Sequence, residues 1–498
     1  MTKDIKIIGS GFSSLAAACY LAQQGHKVEV FEKNHHIGGR ARQLKKEGFT
    51  FDMGPTWYWM PDVFERFFAD FSHTPSDFYS LIKLSPAYRV YFDKNDFVDI
   101  ADNPQDIANT FEAIEKGSGA VLKDFLDEAR SNYDIAIKDL VYRPGSSPLE
   151  LVTPQTMTRL GQFLGNISKD VRKRFKNKKL VQILEFPVLF LGAKPSDTPS
   201  FYSFMNHADF GLGTWHPKNG MYSVVLGMAQ LAESLGVKIH TDATVSKINV
   251  ADGEVTSLTV NGKIMPADIV VCGADYHHGE SLLEENNRKY SEKYWSKKTF
   301  APSSLLFYVG FDKKLENVQH HTLFFDTDFD VHAKDIYDTP RWPDAPLFYA
   351  SFPSMTDADA APQGQEAAIF LIPLAPGIED TPELREKYFG IILKRLEDLT
   401  GQELKQHITL KESYCINDFV KDYNSYKGNA YGLANTLLQT AFLRPKLKSP
   451  KVRNLYFTGQ LTVPGPGVPP ALISGKLVAA LIKKQTAKEP KLTVTPTP

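Results

Sequence analysis

A glycine turn set between a buried strand and a helix constrains this chain more than any other feature. Ile5-Lys6-Ile7-Ile8 reads as a buried strand, Gly9-Ser10-Gly11 follows, and residues 14–24 read as a helix stopped by Gly25. Residues 28–32 alternate as a second strand that ends on Glu32. Strand, glycine turn, helix and strand in this order make a dinucleotide-binding unit. Gly9 permits the tight turn, Gly11 lets backbone approach a pyrophosphate, and the helix N-terminus favours negative charge. Ser14 stands where a third glycine is usual, and its hydroxymethyl still allows fairly close helix–strand packing. Glu32, about 20 residues on, is placed to accept hydrogen bonds from a ribose.

The apolar stretch 5–22 behind a basic start has the outline of a secretory signal. Gly9 and Gly11 interrupt it, and its removal would strip the strand at 28–32 of its partner. It is therefore read as the opening of the fold. No other run approaches the roughly 18–20 apolar residues of a spanning helix. A net charge of -1 gives no electrostatic case for nucleic acid. Cys19, Cys272 and Cys415 lie far apart without metal-site spacing, which points to free thiols, a reducing compartment and a cytoplasmic location. The pairs His35-His36, His277-His278 and His320-His321 lack an acidic partner at ligand spacing, so no metal site is expected.

Further along, residues 105–209 read as mostly helical and 224–235 as a helix. Residues 237–250 and 255–260 alternate like paired strands about Asp252-Gly253. Strands are expected at 269–271, 305–310, 368–372 and 455–458, and helices at 382–399 and 471–482. The pattern is an α/β fold with a discontinuous Rossmann-like nucleotide domain, an inserted mixed β-sheet substrate domain and a helical domain. The nucleotide domain takes residues 1–75, 213–295 and 441–485. The substrate domain takes 76–104 and 296–440, and the helical part, the candidate for facing a membrane, 105–212. The tail 486–498, rich in Lys, Thr and Pro, is expected to be disordered.

After Glu32 come Lys33, the turn Gly38-Gly39-Arg40, and then Gly54-Pro55-Thr56 beyond a hairpin. Near the other end, Thr458-Gly459-Gln460 closes a strand, and Pro464-Gly465-Pro466-Gly467-Val468-Pro469-Pro470 opens the last helix. In these stretches the sequence resembles the FAD-dependent amine oxidase and phytoene desaturase superfamily. The resemblance implies that Lys33, Gly39 and Arg40, with Gly54, Pro55 and Thr56, wrap the diphosphate and flavin of FAD. It places Gly459, Gln460, Gly467, Val468 and Pro469 along the flavin, and adds Ser13, Val245 and Asp275 as further contacts.

Residues 213–221, Asn417-Asp418-Phe419, 428–433 and Phe442-Leu443-Arg444-Pro445 extend the resemblance to bacterial-type phytoene desaturases over roughly residues 3–485. That likeness implies a linear polyene hydrocarbon as substrate, phytoene carried stepwise towards lycopene. It implies hydride transfer to flavin, reoxidation by quinone or oxygen, and no nicotinamide. Glu150 falls near the position of a carboxylate close to the flavin in related desaturases, with Asp209 and Glu185 as rivals for the proton-accepting role. Alternatives are a desaturase of another acyclic carotenoid, a flavin amine oxidase, a polyene isomerase or reductase, and a non-catalytic prenyl-protein escort. Such a substrate lives in a bilayer, so peripheral contact with a membrane surface is expected. Two segments are candidates: the stripe Phe64, Phe67, Phe68 and Phe71, for which a core position is favoured, and the basic run 172–179 leading into apolar 180–191.

Overall fold

The computed structural model describes residues 2–487. Strand β1 (Asp4–Ile8) lies inside a five-stranded parallel sheet, flanked by β2 (Lys27–Phe31) and by Ile269–Cys272. Lys238–His240 extends the sheet beyond β2, and Leu455–Phe457 extends it on the other side. Sheets of this kind are covered on both faces, so their strands read as continuous apolar runs rather than alternating ones. Ile5, Ile7, Val30 and Val271 are accordingly fully buried. Helix α1 (Phe12–Gln23) packs between the helices Tyr222–Ser234 and Val468–Thr486, which come from distant parts of the chain.

The stretch 237–250 is not one strand. Lys238–His240 pairs in parallel with β2, through Glu29↔Lys238 and Phe31↔His240. Only Val245–Ala251 turns back at Asp252 and Gly253 to pair with Glu254–Val260. Period-two alternation says that residues are extended but not which neighbour they bond, and Asp242, with positive φ, makes the break between the two. His240 earns its place in the parallel sheet by stacking on Phe31 and bonding Glu29.

A seven-stranded sheet is built from Tyr88–Asp93, Asp96–Ile100 and five strands between Ser303 and Tyr414. All of its pairings are antiparallel except that of Tyr88–Asp93 with His321–Phe324. Ser303–Phe311 is buried on both faces. Leu305, Phe307 and Val309 point into the core under helix Pro382–Thr400, while Leu306 and Tyr308 meet Phe49 and Phe51 of the hairpin. The region between the sheets is helical, from Pro104–Ile114 and Ser118–Lys138 through short turns to a π-helix at His207–Gly211.

Of the two candidate membrane-facing segments, the Phe stripe lies in the core, as favoured, while the basic run is on the surface with three of its cations paired to acids. Phe64, Phe67, Phe68 and Phe71 are all core residues. The basic run is held in ion pairs: Arg172 to Glu185 and Asp330, Arg174 to Glu128 and Asp170, Lys179 to Asp96. Leu180, Val181, Ile183 and Leu184 behind it are buried. Basic heads next to an apolar run describe a helix docking into a core as well as one docking into lipid. Among the described residues, no helix is long and apolar enough to cross a membrane. The last helix reaches Thr486, so the expected tail begins later than residue 486, and its part beyond 487 lies outside the described residues.

Candidate functional site

The turn after β1 opens on a cavity of about 1360 Å³, larger than the roughly 300–1000 Å³ of an ordinary ligand site. Gly9, Gly11 and Ser13 form one edge, and Glu32 and Lys33 follow from the end of β2. Gly39 and Arg40 lie beside Gly54, Pro55 and Thr56 in the wall. Val245, Asp275, Gly459 and Gln460 close another side, and Gly467, Val468 and Pro469 bring in the start of the last helix. The expected cofactor residues thus converge from six stretches of the chain, 9–13, 32–40, 54–56, 245, 275 and 459–469. Ser14 is the exception. It is fully buried off the cavity, and its Oγ lies 1.9 Å from where a Cβ on Gly273 would stand. The close packing that a third glycine gives is here supplied by Gly273 on the facing strand.

Three features fit FAD. Two helix N-termini, at Gly11 and Gly467, open on the cavity without a side-chain cap; the first offers free backbone N–H groups to anionic oxygen, while the second, with Pro469 and Pro470 in its first turn, offers only those of Gly467 and Val468. Arg40 is buried; its NH2 donates to Ser425 Oγ at 2.9 Å and to the Asn429 carbonyl, and its Nε has no partner. Burial pulls this guanidinium below its ordinary pKa, a cost that a phosphate would offset. Finally, a Cβ on Gly54 would fall 2.1 Å from the Arg40 carbonyl oxygen, so the two turns close together only with glycine there.

Around this cradle the acids are braced. Glu32 accepts from Ser10 N and Oγ at 3.0 and 2.8 Å, and from Asn34 N and Nδ2 at 2.9 and 3.0 Å. Buried Asp275 caps the helix Tyr276–Ser281 and has a raised pKa, from burial first, with Arg40 opposing. Lys33 is tied to the Lys421 carbonyl at 2.8 Å.

Glu150 also reaches the cavity wall, but its two oxygens accept from the amides of Gly145 and Ser146 at 2.8 and 3.0 Å. Its rivals are elsewhere. Glu185 is buried in an ion pair with Arg172 and accepts from Ser168 Oγ. Asp209 accepts from Tyr88 at 2.7 Å and is pushed up to about 8 by burial.

Sequence reasoning missed an aromatic group at the Thr56 end. His321 stacks on Trp57 with ring centroids 3.9 Å apart, and its Nδ1 lies 2.6 Å from the Tyr349 hydroxyl. His321 pairs with Ser351 across the sheet, so Tyr349, two residues before it, lies diagonally on the same face. The alternation of residues 348–351 carries half of that information; the strand register, which no local pattern reveals, carries the rest.

A parallel nucleotide sheet and a mixed second sheet, joined over one cavity with two uncapped helix N-termini, define a dinucleotide-dependent oxidoreductase of the flavoprotein class. The chain belongs to the flavin containing amine oxidoreductase family, whose pattern matches residues 12–483, and its cofactor is FAD. It is 42% identical to a carotenoid 3,4-desaturase of Haloarcula japonica, over 97% of this chain and 98% of that one. It is 33% identical to a 4,4'-diapophytoene desaturase (4,4'-diaponeurosporene-forming) of Staphylococcus haemolyticus, over 95% and 97%. It is 31% identical to a zeta-carotene-forming phytoene desaturase of Myxococcus xanthus, over 96% and 93%. The same fold recurs in an oxidoreductase from Methanosarcina mazei, with a TM-score of 0.63 at 18% identity over 96% of this chain and 99% of that one.

Proposed function

We propose that this enzyme desaturates an acyclic carotenoid, removing two hydrogens from adjacent carbons of a long polyene. The observation that carries this reading is the continuity of one cavity. It runs from the glycine turns of the FAD cradle to a wall that includes Phe163, Phe186, Phe201, Phe325, Phe329 and Leu347. Those six side chains carry no polar atom, so they suit a hydrocarbon, which binds by burial alone. A polar amine would ask that wall for hydrogen-bond acceptors.

When bound, FAD supplies the hydride acceptor. The chain's own residues hold the polyene, exclude water and dispose of the remaining proton. A quinone or oxygen is the electron acceptor in this proposal. Phytoene carried stepwise towards lycopene is one substrate reading. Desaturation at the 3,4 position of a carotenoid is the second, supported by the 42% identity to the Haloarcula protein.

The cavity also has an apolar rim. Leu149 and Leu438 are each 76% exposed and Leu164 74%, with Val152, Met157 and Leu443 also exposed. Leu438, Leu443 and Glu150 line the cavity itself. The 145 turn is tied to the 438–443 segment, since Lys446 Nζ donates to both the Gly145 and Phe442 carbonyls. Such a rim supports collection of substrate from a bilayer. Expression in bacterial hosts that accumulate either phytoene or lycopene, followed by pigment extraction, tests the reaction. New, longer-wavelength carotenoids are expected in at least one host. An FAD-loaded protein that leaves both pigments unchanged would reject the proposal.

A further inference from the structure

Each desaturation leaves a proton in an apolar cavity: one C–H departs as hydride with its electron pair, the other as H⁺, and its pair becomes the second bond of C=C. The structure assigns the exit of that proton to a chain of side chains, Thr56, Tyr349, His321, His320 and His216, leading from the large cavity to a smaller polar one. This inference rests on the desaturase reading.

The chain begins in the cavity wall, where Tyr349 and Thr56 both lie and their hydroxyls are 2.8 Å apart. Tyr349 then meets His321 Nδ1 at 2.6 Å. The other nitrogen, His321 Nε2, is buried and has no partner. His321 packs on His320, and His320 on His216, with ring centroids 4.5 Å apart in both contacts. His216 Nε2 is also buried and faces an oxygen of Asp357 at 3.8 Å, ion-pair rather than hydrogen-bond distance. His320 and His216 line a second cavity of about 150 Å³, with Asp52 and Asp357, and its rim carries the exposed Lys45, Asn219 and Asp359. Thr56 lines both cavities, so one layer of side chains separates them.

The electrostatics favour passage over storage. Burial holds His320 and His321 well below the usual histidine range, so both stay neutral with one N–H each, His320 Nδ1 lying 2.8 Å from Thr356 Oγ1. A neutral imidazole can take a proton at one nitrogen while releasing another from the opposite side. Negative charge waits at the outer end. Bonding to His216 holds Asp357 down at about 2, whereas burial raises Asp52 to about 6 despite its bonds from Met221 and Tyr222 amides. A proton therefore moves from an apolar chamber, past neutral His321 and His320, towards two buried carboxylates in a cavity whose rim is exposed. The buried, unpartnered Nε2 of His321 costs stability on packing grounds alone, since it forfeits its hydrogen bond. A path explains it.

The test uses FAD-loaded wild type, His321→Phe, His321→Ala and Tyr349→Phe, with phytoene or lycopene in liposomes. Phe at 321 keeps the stack on Trp57 and removes both nitrogens. FAD content should be unchanged, and flavin reduction should slow by about 100-fold, the lower end of acid–base effects. Added imidazole should restore part of the rate in His321→Ala, where the ring's space is vacated, and none in His321→Phe, where it is filled. Unchanged rates in all three variants would overturn the path. In parallel, ¹⁵N-histidine NMR of the FAD-loaded protein without substrate reports the tautomers. The path expects His320 and His321 neutral and exchanging between tautomers; both locked in one tautomer overturns it. Should wild type act on neither carotenoid, the desaturase reading fails, and the NMR result alone decides the path.

Discussion

At Gly11 the backbone is already one that any residue adopts, with φ -70°, and a Cβ there would meet nothing within 4 Å. Gly11→Val should therefore fold normally yet lose FAD, because the only thing its side chain can strike is the pyrophosphate. Normal melting with no flavin absorbance is expected, and stoichiometric FAD in the variant would reject this turn as the phosphate site. Gly9 is different: its φ of +86° would strain any replacement, so a failed Gly9 variant would say little. Glu150 is the residue on which the structure presses hardest. Its carboxylate spans two amides of the 145–150 turn, a brace that Gln can half replace. Glu150→Gln is expected to keep FAD and slow flavin reduction by less than about tenfold; a fall of about 100-fold would return the proton-accepting role to Glu150. Gly9, Gly39 and Gly459 are legible in sequence because their positive φ imposes glycine locally. Ser14 is not, since its fit depends on Gly273, more than 250 residues away.

Among the elements, the π-helix His207–Gly211 carries the clearest unpaid cost. It places Asp209 Oδ2 on Tyr88 and leaves Oδ1 buried without a partner. Burial raises the folded pKa from 3.8 to about 8, so the folded chain holds the proton more tightly than the unfolded one. A raised carboxyl gives stability that is full below the unfolded pKa and lost progressively as pH rises through the folded one. Asp209→Asn removes this dependence while keeping an acceptor for Tyr88. Its melting temperature should exceed wild type near pH 8 and the gain should vanish near pH 4. An equal gain at both pH values would mean that packing, not ionisation, sets the cost. The elements themselves were legible where the apolar period was long, as in Pro382–Thr400 and β1. They are not legible where extended residues change partners, at 237–250.

At the scale of the whole molecule, the nucleotide sheet is assembled from strands at 4–31, 238–272 and 455–457, and the stretches between them supply the second sheet and the helices. The recurring turns made this arrangement readable, since each has its own residue signature. What faces what across the cavity was not readable: the Trp57–His321–Tyr349 group and the leucine rim are products of long-range register. The rim changes the expected mode of membrane contact. Arg172, Arg174 and Lys179 are committed to acids, so their pull on anionic lipid is largely spent within the protein. Leu149, Val152, Met157, Leu164 and Leu438 are exposed instead, and a leucine wholly transferred from water is worth about 1.5–3 kcal/mol. Liposome flotation should therefore show binding that persists in high salt and on neutral phosphatidylcholine vesicles. It should survive neutralisation of Arg172 and Arg174, and fall when Leu149, Leu164 and Leu438 become serine, with FAD content unchanged. Binding that needs anionic lipid and vanishes with salt would move the contact back to the basic run. Binding untouched by the three serines would remove the rim from it, and substrate entry would then have to be sought elsewhere on the cavity wall.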